Sequence, residues 1–193
     1  MVSIKYNCMP KIINGDVELT ELHLKRLPDF LMDVEVRGSF VCAQNNLISL
    51  VGAPQRVGLD FYCGYNKLTS LRGSPQSVGG RFNCMNNKLI SLEGAPSSID
   101  ESFDCSFNRL TSLKGAPSRV GWSFNCSHNQ LTSLEGAPQS VGGDFNCRGN
   151  QLTSLVGLPQ SVGGSLDCSY NSARFTEAQV RAVCDVKGKV HVG

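Results

Sequence analysis

The 193-residue chain is short of the residue types from which most active centres are built. It has three histidines, His23, His128 and His191, and they fall in an amino-terminal cap, a middle repeat and a carboxy-terminal cap, so no histidine cluster is expected. There is no H-E-x-x-H, no G-x-S-x-G and no G-x-x-x-x-G-K-[ST], which removes the zinc-protease, nucleophile-elbow and phosphate-loop readings. Charge of one sign is also scarce: a formal charge of +2 is too small for a dedicated polyanion binder. No apolar run approaches the ~18 residues that cross a bilayer, so no membrane partner is expected. The opening "MVSIKYNCMPKIING" carries no charged segment followed by a long apolar one, so no secretory signal is expected either. Nine cysteines without such a signal predict a reducing, cytoplasmic setting and free thiols. With 40% apolar and 18% charged residues, the chain is globular rather than disordered.

What the sequence has in abundance is itself. "VGWSFNCSHNQLTSLEGAPQS" (120–140) is followed by "VGGDFNCRGNQLTSLVGLPQS" (141–161), 21 residues each. The same spacing places phenylalanine at Phe40, Phe61, Phe82, Phe103, Phe124 and Phe145, then Leu166. Cysteine follows two places later, from Cys42 to Cys168, and asparagine three places after that, from Asn45 to Asn171. Two leucine columns run from Leu47 to Leu152 and from Leu50 to Leu155, and a Gly-x-Pro closes each copy. Fixed spacing of this kind predicts a solenoid.

The columns have a physical reading. Residues two apart on a strand share a face, so Phe and Cys point inward together. Asparagine sits where the strand turns, and its amide bonds to backbone groups that the turn leaves unpaired. Gly-x-Pro is a poor helix former, and 21 residues leave little room for a convex helix. Extended or short 3₁₀ segments are expected there. Parallel cysteines in a column converge neither on a metal nor on one another, so neither zinc nor a disulfide ladder is expected. They read as small, polarisable core residues.

The segment "FNCRGNQL" resembles the L-x-L-x-x-N-x-L core of leucine-rich repeats, with Phe and Cys in the first two leucine places. The resemblance covers residues 36 to about 172, roughly seven copies. It implies a β-rich solenoid with a parallel concave sheet, a convex side without regular helices, and caps at both ends. The short repeat resembles the compact leucine-rich repeats of bacterial effectors. The Gly-Ala-Pro and Phe-x-Cys wording is closer to leucine-rich repeat proteins in bacteriophage genomes, which implies a host protein as partner.

The expected organisation is an amino-terminal cap over 1–36, the solenoid over 37–174, and a helix–strand cap over 175–193. "VELTELHLKRLPDFLMDVEV" (17–36) is repeat-like but out of register, and Leu19, Leu22, Leu24, Leu27, Phe30 and Leu31 suit a cap. Near the other end, Thr176 and Gln179 form a capping box. Ala178, Val180, Val183 and Cys184 supply an apolar helix stripe, with Val180 and Val183 in the places of the repeat's Pro and Val. "KVHV" (189–192) suits a last strand.

Function is expected on the strand positions that face outward, the usual binding surface of a solenoid. Tyr62, Tyr65, Arg81, Met85, Asp104, Phe107, His128 and Arg148 are the candidate partner-binding residues, because interface centres favour aromatics, Met and Arg. Tyr170 and Trp122 are further large residues of this surface. Asp104 and His128 are rung neighbours with no serine set between them, so catalysis is not expected and no cofactor is implied. A lateral column of Lys67, Lys88 and Arg109 is a modest basic stripe. The expectation is a non-catalytic module that sequesters or blocks a protein partner. The alternatives are a small-molecule or nucleic-acid module on the same face, and a structural or virion-associated protein.

Overall fold

A computed structural model describes residues 11–193. The repeat period becomes a nine-stranded parallel sheet whose strands follow one another in chain order. Its strands are two residues long, from Val17–Glu18 and Phe40–Val41 through Phe103–Asp104 to Leu166–Asp167 and Val190–His191. Equivalent residues pair directly, Phe103 with Phe82 on one side and with Phe124 on the other. The second face of each turn is extended as well. It forms two shorter parallel sheets, one of four strands ending at Ser77–Val78 and one of five beginning at Ser98–Ile99. Only two helical segments occur among the described residues, a 3₁₀ turn at Asp29–Leu31 and a helix at Glu177–Val183.

The core is the inward columns stacked on themselves. Phe40 to Phe145 are fully buried, with neighbouring ring centroids 5.2–5.7 Å apart. Each asparagine ties two successive turns of backbone together through three groups. Asn108 Nδ2 donates to the carbonyls of Cys84 and Cys105, both at 3.1 Å, and its Oδ1 accepts the N–H of Leu89 at 3.0 Å. These are the groups a tight turn would otherwise bury unpaired.

The break in the second face has a local cause. A Cβ added at Gly58, Gly79, Gly121, Gly142 or Gly163 would lie 2.0–2.2 Å from the carbonyl oxygen of the preceding turn. The backbone there passes too close for any side chain. Asp100 occupies this column, with a Cβ where its neighbours have none, in the turn where the ladder is interrupted. The ladder between Ser77–Val78 and Ser98–Ile99 is absent among the described residues, although Gly79 and Gly121 keep theirs, to Val57 and Ile99.

The ends differ from the expectation in detail. Val17 pairs with Phe40 at a spacing of 23 rather than 21, which explains why the first rung reads as out of register. Of the residues expected to form the cap, Leu27 and Leu31 are buried, but Leu22 and Phe30 are 55% and 69% exposed. Leu22 stands in the asparagine place, where the chain has no inward side chain to offer. At the other end the capping box is present: Gln179 N donates to Thr176 Oγ1 at 3.3 Å, and Thr176 N to Gln179 Oε1 at 2.9 Å. The expected helix stripe is narrower, with Val180 and Cys184 buried and Ala178 and Val183 exposed. Val186, not Val183, succeeds Val162, because the helix lengthens this last turn. Val190–His191 is the expected final strand and pairs with Leu166–Asp167.

Candidate binding face

The outward side of the nine-stranded sheet carries two kinds of column, and neither is merely variable. The column between Phe and Cys holds Asn83, Asp104, Asn125, Asn146 and Asp167, and each accepts the backbone N–H two residues on. These side chains stand in for the strand partner that the turning backbone has lost. Asp104 is the most engaged, since its Oδ1 takes both the N–H and the hydroxyl of Ser106, at 2.9 and 2.6 Å. The next column was expected to face outward, but its serines Ser106, Ser127 and Ser169 are buried.

The column before the inward asparagine is left-handed throughout. Gln44, Tyr65, Asn86, Phe107 and His128 have φ of 53°, Tyr170 54° and Gly149 66°. This single reversed residue turns the chain so that the asparagine after it points into the core. For a bulky residue the conformation costs about 1–2 kcal/mol, and Gly or Asn tolerates it best. Gly149 and Asn86 show that the column accepts those cheaper residues. Tyr65, Phe107, His128 and Tyr170 nevertheless stand there, and the three rings of Tyr65, Phe107 and Tyr170 are 48%, 48% and 67% exposed. The sequence signal was available: bulky residues occupy a turn position that two other copies give to Gly or Asn.

These side chains form pairs rather than one continuous patch. Phe107 stacks on His128, with centroids 4.4 Å apart. The imidazole lies where a side chain on residue 149 would be, since a Cβ there would meet His128 Nδ1 at 2.8 Å. The Arg148 guanidinium sits 4.2 Å over the Tyr170 ring, a cation–π contact that adds a residue to the expected set. Tyr62 donates to Asp60 Oδ2 at 2.9 Å, and burial with this bond pushes its phenol up. With Tyr65 and Met85 it borders a shallow depression of about 290 Å³. Asn86 separates this group from Phe107. Arg81 is drawn to Glu101 at 3.2 Å, and both side chains are exposed. Lys67, Lys88 and Arg109 line the flank and make no ion pair among the described residues.

The eight described cysteines are free and buried. Burial raises their thiol pKa values, that of Cys168 to about 11. Cys84, Cys105 and Cys147 donate to the carbonyl of the following rung at 3.4 Å, so the thiol adds a weak cross-rung bond that a methyl group could not. Among the described residues no group of three or more His, Cys, Asp or Glu side chains is placed to hold a metal ion. No described helix is long and apolar enough to cross a membrane.

A 21-residue period, a parallel strand ladder, buried apolar columns and an asparagine ladder define a leucine-rich repeat protein. No family model and no curated protein matches the chain. Among solved structures it is similar to YopM from Yersinia enterocolitica WA-314, with 26% identity and a TM-score of 0.64 over 81% of this chain. It spans 38% of the length of that chain. The chain is thus a leucine-rich repeat protein resembling bacterial effectors, built on a scaffold that typically binds proteins rather than catalysing reactions.

Proposed function

We propose that the chain is a non-catalytic module that grips a protein partner on the outward face of its nine-stranded sheet. The observation that carries this reading is the left-handed column: exposed aromatic rings stand on strained backbone that Gly or Asn would relieve. Strain of this kind persists where a surface is kept for use. Tyr62, Tyr65, Arg81, Met85, Asp104, Phe107, His128 and Arg148 are the proposed contact set, and Tyr170 joins it through Arg148. The binding solenoid would occupy 37–174, between caps at 1–36 and 175–193. The Phe-x-Cys and Gly-Ala-Pro wording extends the reading to a phage-encoded inhibitor that blocks a host protein in the host cytoplasm.

The test is an affinity pull-down from host lysate with three baits. Wild type and the triple Lys67→Gln, Lys88→Gln, Arg109→Gln should retain one partner that Phe107→Ala loses. If the triple loses it and Phe107→Ala does not, the basic flank is the site and the polyanion reading replaces this one.

A further inference from the structure

We infer that the backbone N–H groups of Ala43 and Gly64 form a two-donor site for uncharged amide oxygens carried by the protein partner, an inference that rests on the binding-face reading above. Along the sheet, the N–H two residues after the outward strand position is capped from within the chain. Glu18 caps Thr20 at 3.0 Å. Asn83 caps Met85 at 3.0 Å, Asp104 caps Ser106 at 2.9 Å, and Asn125 caps Ser127 at 3.1 Å. Asn146 and Asp167 cap Arg148 and Ser169 at 3.0 and 2.9 Å.

Two adjacent rungs depart from this rule. Val41 and Tyr62 stand in the capping place. Valine has no acceptor, and the Tyr62 hydroxyl reaches Asp60 instead. Among the described residues the N–H groups of Ala43 and Gly64 find no partner. Their backbone repeats that of the capped rungs, with the same φ of 53° at Gln44 and Tyr65 as at Asn86 and Phe107. Both N–H groups therefore point outward, to the side from which the capping oxygens arrive elsewhere. They lie one strand spacing apart, about 4.8 Å.

A cavity coincides with the gap. The depression of about 290 Å³ is lined by Val41, Ala43, Tyr62, Gly64, Tyr65 and Met85, with Thr20, Gln44 and Asn83 at its polar side. Gly64 lies buried at its floor, where a Cβ would crowd Asn83 Oδ1 at 3.1 Å and Met85 O at 3.2 Å. Apolar walls with a few convergent donors are the usual form of a recognition pocket. The charge around it selects the acceptor. Glu18 occupies the rung before Val41 and Asp60 holds the Tyr62 hydroxyl, while Arg81 is paired with Glu101. A carboxylate would meet like charge, whereas an Asn or Gln side chain, or a peptide carbonyl, would not. Elsewhere on the sheet three rungs cap this N–H with such an amide oxygen and three with a carboxylate, so it is the charge beside this pocket that decides between the two.

The test reads the two amides directly by NMR on the full chain. In the free protein, Ala43 and Gly64 should exchange their amide protons at least about tenfold faster than Met85, Ser106, Ser127, Arg148 and Ser169. Titration with N-acetyl-asparagine methylamide should shift the Ala43 and Gly64 resonances. N-acetyl-aspartate methylamide should shift them less. Tyr62→Asn restores the residue type of the neighbouring rungs, so it should fold, slow exchange at Gly64 and abolish its response. Slow exchange of both amides in the free wild type, no shift with the asparagine probe, or an equal or larger response to the aspartate probe would each overturn the inference. If it falls while Phe107→Ala still loses the partner, the binding-face reading stands without it. If Phe107→Ala and Tyr62→Asn both leave partner capture intact, the binding-face reading itself falls.

Discussion

The ring of Phe107 lies on the imidazole of His128, with centroids 4.4 Å and planes 17° apart, and both residues hold left-handed backbone. The contact follows from the ladder. Equivalent residues on parallel rungs are about 4.8 Å apart, close to the offset-stacking distance of two rings. The absent side chain at Gly149 gives the imidazole its place, so the stack ends there.

Removing strain from this column should stabilise the fold where no ring contact is lost. Tyr65→Asn is expected to raise stability by about 0.5–1 kcal/mol, because Asn accepts a left-handed backbone and the neighbouring rung already has Asn86. Phe107→Asn should fall near zero, since the stack with His128, worth about 0.5–1.5 kcal/mol, is lost at the same time. Urea unfolding of the two variants checks the order. A Tyr65→Asn variant no more stable than the wild type would show that the left-handed turn carries no strain.

The inward asparagine should be the most sensitive polar position. Asn129 Nδ2 donates to Cys105 O and Cys126 O, both at 3.1 Å, and its Oδ1 accepts Leu110 N at 2.9 Å. Asn129→Ala leaves the buried N–H of Leu110 unpaired, at about 1–3 kcal/mol, and takes one of two donors from each carbonyl, which Asn108 and Asn150 still reach, at about 0.5–1.5 kcal/mol apiece. A total loss of roughly 3–5 kcal/mol is expected, read from the urea midpoint at unchanged slope. Gln130→Ala, on the exposed flank beside it, should change stability by less than about 0.5 kcal/mol.

Much of this was legible in the sequence. The Phe, Cys, Asn and Leu columns fix which residues point inward, and the structure places all four there. The capping box at Thr176 was legible from spacing alone. Three features were not. The outward column of Asn83 to Asp167 reads as variable because Asn and Asp interchange, yet both supply the same oxygen. The left-handed column needs φ, which side-chain periodicity does not reveal. Val183 was misplaced because the helix adds three residues to the last turn, so the 21-residue count stops working there.

The buried thiols should make the fold sensitive to alkali. Burial raises the thiol pKa of Cys63, Cys84, Cys105, Cys126 and Cys147 in the folded chain, while unfolded thiols ionise near about 8.5. Above that pH the unfolded chain binds fewer protons than the folded one, so stability falls as pH rises. Below it the contribution is fully present. Each fully buried thiol should remove up to about 1.4 kcal/mol per pH unit over this range. Unfolding free energies measured from pH 7 to pH 10 should therefore curve steeply downward. Cys126→Ala should flatten the slope by one thiol's share, at a cost of about 1–2 kcal/mol at pH 7. An unchanged slope would show that this thiol does not titrate on unfolding.

The break at Asp100 should be repairable, and its opposite should be creatable. Asp100→Gly removes the only side chain in a column that the other described turns from Gly58 to Gly163 fill with glycine. The N–H of residue 100 can then approach the carbonyl of Val78, as Gly79 N approaches Val57 O at 3.0 Å and Gly121 N approaches Ile99 O at 3.0 Å. The new bond should add about 0.5–1.5 kcal/mol and slow exchange of that amide. Glycine's greater freedom in the unfolded chain offsets part of it, by roughly 0.5–1 kcal/mol, so exchange is the sharper readout. Gly142→Ala makes the reverse change. Its Cβ would lie 2.0 Å from Gly121 O, a backbone atom that cannot yield without opening the sheet. A loss of about 1–3 kcal/mol is expected, with faster exchange at Gly142 and Gly163. If Gly142→Ala were neutral, the close approach of successive turns could not be what splits the second face at Asp100.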